Sequence, residues 1–109
     1  MPFELYQSES SKKFHFRLKA KNGEIILTSQ GYAQRSSAEN GIESVSKNAS
    51  EDNFEMKKAS DGREYFVLKA TNGQVIGQSQ MYKSHSGCNN GVQSVIRNAK
   101  EGGVKDLTA

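Results

Sequence analysis

Apolar and polar residues alternate strictly along Phe14-His-Phe-Arg-Leu-Lys-Ala20, so Phe14, Phe16, Leu18 and Ala20 share one face and His15, Arg17 and Lys19 the other. A period of two is the signature of a half-buried antiparallel strand. Phe3, Leu5 and Gln7 share a face in the same way, with Glu4 and Tyr6 opposite, and the polar stretch from Ser8 to Lys13 reads as a loop. Asn22-Gly23 marks a tight hairpin, because a type I′ turn needs positive φ at both central residues. Glu24–Ser29 is then the returning strand of a three-stranded meander. Beyond Tyr32 the period changes. Ala38, Ile42, Val45 and Ala49 form one helical stripe, and Ser36 and Glu39 have capping-box spacing at its start. Asn40-Gly41 argues locally for a turn, and Gly in a helix costs about 1 kcal/mol relative to Ala. The periodicity outweighs it and predicts a helix packed close to a strand at Gly41.

The whole pattern then repeats. Between residues 18–49 and 68–99, 16 of 32 ungapped positions are identical. They include Leu-Lys-Ala-x-Asn-Gly at Leu18 and Leu68, Ser-Gln-x-Tyr at Ser29 and Ser79, and Asn-Gly at Asn40 and Asn90. The chain is an internal duplication. Repeat one covers about residues 1–50 and repeat two about 51–109, with Ser50–Asn53 as the link. Phe54-Glu-Met56 answers Phe3-Glu-Leu5 one residue out of step, because Asp61-Gly62 shortens the first hairpin. Phe66, Leu68 and Ala70 repeat the strand face, and Cys88, Val92, Val95 and Ala99 repeat the helix stripe, which Ile96 widens. Gly102-Gly103 ends the second helix, and Val104–Thr108 is extended. By its distance from Ala99, Val104–Leu107 is expected to fill the place beside helix two that Phe54–Lys57 fills beside helix one. The expected fold is α+β: βββα-βββα-β in a single domain over 1–109, one antiparallel sheet under two helices, with a pseudo-twofold axis and a shared core, since fifty residues alone bury too little surface.

Composition narrows the setting more than the chemistry. The hydrophobic fraction is 34%, the charged fraction 25% and the mean hydropathy −0.76, which leaves no run able to span a membrane. Met1–Tyr6 lacks the basic and apolar regions of a signal peptide, and the lone Cys88 fits a reducing compartment, so a cytoplasmic location is expected. The net charge of +3 is spread evenly over both repeats, and a pI of about 9.0 permits nucleic-acid contact without arguing for it.

Tandem Leu-Lys-Ala-x-Asn-Gly, the segment Val75–Tyr82, the Gly-x-x-Ser-Val helix and the closing Val-Lys-Asp-Leu-Thr together resemble the YegP-like family of small bacterial proteins. The resemblance covers nearly the whole chain. It implies two copies in a single sheet with exchanged terminal strands and two helices on one side. It implies no activity and brings no site residues, because the family is one of unknown function.

Candidate chemistry is sparse. Lys83-Ser-His-Ser-Gly-Cys88 gathers Ser, His and Cys, and His85 activating Cys88 or a serine is the only nucleophile arrangement on offer. It lacks an acid nearby in sequence to orient the imidazole, and Cys88 falls on the buried stripe, where a thiol acts as a small hydrophobe. His15, His85 and Cys88 have no metal-ligand spacing, and no glycine-rich phosphate loop is present, so no cofactor is expected. The outward strand faces are more interesting: His15, Arg17, Lys19 and Lys21 in repeat one, Tyr65 and Lys69 in repeat two, with Tyr32 and Tyr82 as further aromatics. A basic, aromatic sheet face is a surface for single-stranded nucleic acid. The opposing reading is a solvated face that Glu24, Glu43, Asp61 and Glu64 dilute. Ser29, Gln30 and Tyr32, with Ser79, Gln80 and Tyr82, read as the strand-to-helix corner rather than as paired ligand pockets. Asn48 and Asn98 read as helix C-terminal residues. The expectation is a monomeric, non-enzymatic interaction module for a macromolecular partner. Weak, sequence-indifferent nucleic-acid binding through Arg17, Lys19, Lys21, Tyr65 and Lys69 is the alternative, and an enzyme with an unrecognised site comes third.

Overall fold

Strict alternation produces β1 (Phe3–Gln7) and β2 (Phe14–Lys19), antiparallel with Phe3 opposite Leu18 and Leu5 opposite Phe16. The computed structural model describes residues 2–108. Asn22-Gly23 turns the chain into β3 (Ile25–Thr28), but not as a type I′ turn: Gly23 has positive φ, +86°, and Asn22 does not, with the Gly23 N–H donating to the Ala20 carbonyl at 2.9 Å. Repeat two builds β4 (Phe54–Lys58), β5 (Glu64–Lys69) and β6 (Val75–Gln78) in the same pairing. Helices α1 (Arg35–Asn48) and α2 (His85–Glu101) follow the two meanders, and β7 (Val104–Asp106) closes the fold. The strand order is β4-β5-β6-β3-β2-β1-β7. The α+β fold, its single sheet, its two helices and its duplication are as the sequence predicts.

The repeats meet at a narrow seam. β3 and β6 pair only through Thr28 and Gln78, which are equivalent residues facing each other, as a twofold axis requires. Bulges after Leu18 and Leu68 turn consecutive residues of β3 and β6 inward, so Ile26 and Leu27 are both buried. Symmetry breaks here for lack of room: a Cβ on Gly77 would lie 2.8 Å from two atoms of the Leu27 side chain. Only one of the two equivalent positions can be large. The helices bridge the seam, α1 reaching β5 and β6 and α2 reaching β2 and β3, and a single apolar cluster draws on both repeats.

Three local expectations are corrected. The cap of α1 is Gln34 without a side-chain bond, and Ser36 and Glu39 lie inside the helix, where Glu39 pairs with Arg35 at 3.3 Å. Side-chain capping occurs in repeat two, where Ser84 Oγ accepts from the Gly87 N–H at 3.0 Å. Ser84 has no equivalent hydroxyl in repeat one, because Gln34 stands there. The terminal strand does not take the place corresponding to β4. That place, beside β2, belongs to β1, so β7 is displaced one strand outward and lies parallel to β1, with Phe3 opposite Val104. The sheet is therefore antiparallel except at its last pair, and strand exchange between the repeats runs in one direction only. Asn48 ends α1, whereas Asn98 lies inside α2; both donate Nδ2 to a serine carbonyl four residues back, at 2.8 Å.

Candidate interaction surfaces

The apolar stripes of both helices pack on Phe3, Leu5, Phe16, Leu18, Phe66 and Leu68, so the opposite face of the sheet is the helix-free one. Register sets its residues in rows. The central row runs Glu55, Val67, Gln78, Thr28, Arg17, Glu4, Lys105 across all seven strands. Beside it lie Lys57 opposite Tyr65 and Tyr6 opposite His15. Of the predicted surface residues, Arg17, Lys19, Tyr65 and Lys69 meet on this face. Lys21 does not: it sits in the β2–β3 turn, 84% exposed, with Glu101 of α2 at 3.5 Å. The turn starts at Ala20 and carries Lys21 off the strand.

The acids that temper the face are Glu4 and Glu55, rather than the four that sequence position singled out. Arg17 Nε donates to Glu4 Oε1 at 2.7 Å, Lys19 stands 3.4 Å from the same oxygen, and Lys69 pairs with Glu55. The Arg17 guanidinium also lies 4.6 Å from the centre of the Tyr6 ring, whose plane stacks on His15 at 5.4 Å. These pairings hold the Glu4 carboxyl below its ordinary value, Arg17 contributing most and burial opposing it. A depressed native pKa means that the unfolded chain binds the extra proton. This carboxylate's contribution to stability is thus complete above its free pKa and lost as the pH falls through its native one. Removing the guanidinium with Arg17→Ala is expected to raise the Glu4 titration midpoint, read from its side-chain carboxyl resonance. An unmoved midpoint would mean that the ion pair does not form in solution.

Tyr32 and Tyr82 lie on the other side of the sheet, a correction to their place among the stacking aromatics. Each stacks on a core phenylalanine, Tyr32 on Phe16 at 6.4 Å and Tyr82 on Phe66 at 6.2 Å, and burial raises both phenol pKa values. Their hydroxyls sit against Gly41 and Gly91, which explains the helix glycines. The corner serines are spent structurally: Ser29 Oγ accepts from the Phe16 N–H at 2.9 Å and donates to the Gln30 carbonyl at 2.8 Å, and Ser79 does the same with Phe66 and Gln80. A groove of about 330 Å³ does open at the seam beside Thr28–Gln30 and Val75–Gln78, and Gln80 contacts Glu24 across the seam.

The fold supplies one acid that sequence proximity hid. Glu64 Oε1 lies 3.0 Å from His85 Nδ1, twenty-one residues away. Cys88 does not complete it: the thiol is fully buried, and burial, with Glu64 adding to it, pushes its pKa up, away from the reactive thiolate. Among the described residues, no His, Cys, Asp or Glu group of three or more is placed to hold a metal ion, and no helix is long and apolar enough to cross a membrane.

Residues 4–55 and 59–106 each match a family described as a domain of unknown function, DUF1508. The chain is 50% identical over 58 residues to the UPF0339 protein in the ptx operon 5' region of Stutzerimonas stutzeri, a match covering 53% of this chain and 51% of that protein. The chain thus spans about half the length of the curated relatives it matches. Two solution structures match over nearly all of it. The Escherichia coli protein of unknown function yegP has a TM-score of 0.91 at 48% identity, covering 98% of this chain and 92% of that one. The UPF0339 protein SO3888 of Shewanella oneidensis has a TM-score of 0.91 at 47% identity, covering 99% and 93%.

Proposed function

The chain belongs to the DUF1508 family, whose domain of unknown function it carries twice, and we propose that it is a non-enzymatic interaction module that holds a polyanionic macromolecular partner on the helix-free face of its sheet. One observation carries this reading. Register gathers five cations on that face, Arg17, Lys19, Lys57, Lys69 and Lys105, against two carboxylates, Glu4 and Glu55. The excess of three charges equals the formal net charge of the whole protein, +3, so the charges outside this face sum to zero. A free, buried Cys88 supports a reducing, cytoplasmic setting, and the internal duplication supports action as a monomer.

Single-stranded nucleic acid is the more specific reading, favoured by Tyr65 and by the Tyr6–His15 stack lying among the cations. The test is fluorescence anisotropy of labelled single-stranded and duplex oligonucleotides at about 50 and 200 mM salt. Saturable binding that weakens steeply with salt is expected, stronger for the single strand. Arg17→Ala combined with Lys69→Ala is expected to lower the salt slope by about two, one for each phosphate contact removed. Equal binding to duplex and single strand would leave the polyanion reading and remove the specific one. No binding at either salt to either form would contradict both.

A further inference from the structure

We propose that the outer edge of β4 is a docking site for an extended segment of a partner protein, bound parallel to β4 in the register that β7 takes on β1. This surface shares Glu55, which pairs with Lys69, with the helix-free face and otherwise lies on the β4 edge and the α2 side. The two edges are equivalents within the duplication. Phe3 stands opposite Leu18 and Leu5 opposite Phe16; Phe54 stands opposite Leu68 and Met56 opposite Phe66. Alternation turns the backbone groups of Phe3 and Leu5 outward, and the chain uses them. The Phe3 N–H donates to the Gly103 carbonyl at 3.2 Å, and the Leu107 N–H donates to the Leu5 carbonyl at 2.8 Å. By the same alternation the backbone groups of Phe54 and Met56 point away from β5. β4 is the last strand on its side of the sheet. The Phe54 N–H is taken by the Glu51 carbonyl. The Phe54 carbonyl and both backbone groups of Met56 remain on the edge, as an unpaired template for a further strand.

The side chains beside the edge identify what fits. β7 sets Val104 and Asp106 on the helix side, where Arg35 of α1 pairs with Asp106, and sets Lys105 opposite Glu4. In repeat two, His85 holds the helix position of Arg35, and Glu55 holds the strand position of Glu4. A groove of about 310 Å³ runs along β4, lined by Glu51, Phe54, Met56, Asn89, Val92 and Gln93. A strand in the β7 register places its first residue against Phe54 and Val92, its second opposite Glu55, and its third beside Met56 and the amide of Asn89. That order selects an apolar, then a basic, then a hydrogen-bonding residue, which is the chemistry of Val104-Lys-Asp106. Asn89 stands where the β7 site has Glu39, beside the third residue; Gln93 stands where it has Glu43 and donates Nε2 to Glu51 Oε1 at 2.9 Å, so the acid of this groove lies at the Phe54 end.

The test titrates the ¹⁵N-labelled protein with the synthetic peptide Gly-Gly-Val-Lys-Asp-Leu-Thr, the sequence of residues 102–108, and with a scrambled version. Saturable amide shifts confined to Phe54–Lys58 and Asn89–Gln93 are expected with the first peptide only. His85→Arg combined with Glu64→Gln, which removes the carboxylate now 3.0 Å from that side chain, supplies the cation of the β7 site and is expected to tighten binding about tenfold through a charge-assisted bond to the peptide aspartate. Met56→Pro deletes an N–H that β5 does not use, so it is expected to abolish binding while leaving the fold intact. Shifts centred on β1 and α1, equal shifts with the scrambled peptide, or no shifts would overturn the proposal. So would a concentration-dependent dimer that Met56→Pro dissolves, since the edge would then belong to a second copy of the chain.

Discussion

Phe66→Ala is expected to cost about 3–5 kcal/mol in denaturant unfolding, and Phe16→Ala a similar amount. Both side chains are fully buried and hold the same place in their repeats. Phe66 meets Phe54 edge-on at 5.5 Å and lies flat against Tyr82 at 6.2 Å; Phe16 meets Phe3 at 6.4 Å and Tyr32 at 6.4 Å. Truncation opens a cavity between strand, helix and corner, which those neighbours cannot collapse to fill because each is fixed by its own strand or helix. Against a typical domain stability of about 5–15 kcal/mol, either loss is a large share. The transition should nonetheless stay single, because one apolar cluster serves both repeats. Two separate transitions, with one repeat surviving the loss of the other, would contradict a shared core.

Gly91→Ala is expected to lower stability although it improves helix propensity. A Cβ there would lie 2.7 Å from Tyr82 Cζ and 3.0 Å from Phe66 Cε2, and it would also meet the Tyr82 hydroxyl. Overpacking costs about 1–3 kcal/mol, whereas the gain of Ala over Gly in a helix is at most about 1 kcal/mol. Gly41→Ala meets Phe16 Cε2 at 2.7 Å and the Tyr32 hydroxyl at 2.9 Å and should behave alike. Thermal melts settle the sign. Adding Tyr82→Phe to Gly91→Ala should recover part of the loss, since it removes the hydroxyl that the new methyl meets first; a purely additive pair would mean that the hydroxyl is not what excludes the side chain.

These two sites show how far the sequence could be read. Alternation and helical periodicity located Phe16, Phe66 and the stripe through Cys88, because burial on one face is written directly in residue order. The repeated glycines predicted a close approach, but the partner, a tyrosine ring folded back from the strand-to-helix corner, was not legible. Tyr32 and Tyr82 lie beyond the last alternating residue, where pattern no longer assigns a face. The candidate face divides in the same way. Arg17, Lys19 and Lys69 follow from alternation within their strands. Glu4, Lys105 and Glu55 reach the same rows only through strand order and register, which pair residues distant in sequence. The displacement of β7 likewise depends on β1 already filling the equivalent place, a fact of topology that the distance from Ala99 to Val104 does not carry. Glu64 likewise reaches His85 only through the packing of β5 and α2, twenty-one residues apart in sequence.

The central claim is that the helix-free face is a binding surface, and the most direct measurement is an amide shift map of the protein with a saturating single-stranded oligonucleotide. Shifts are expected to concentrate on His15, Arg17, Lys19, Tyr65 and Lys69 and on Lys57 and Lys105, with α1 and α2 unmoved. Shifts gathered on the helices, or none at all, would contradict it.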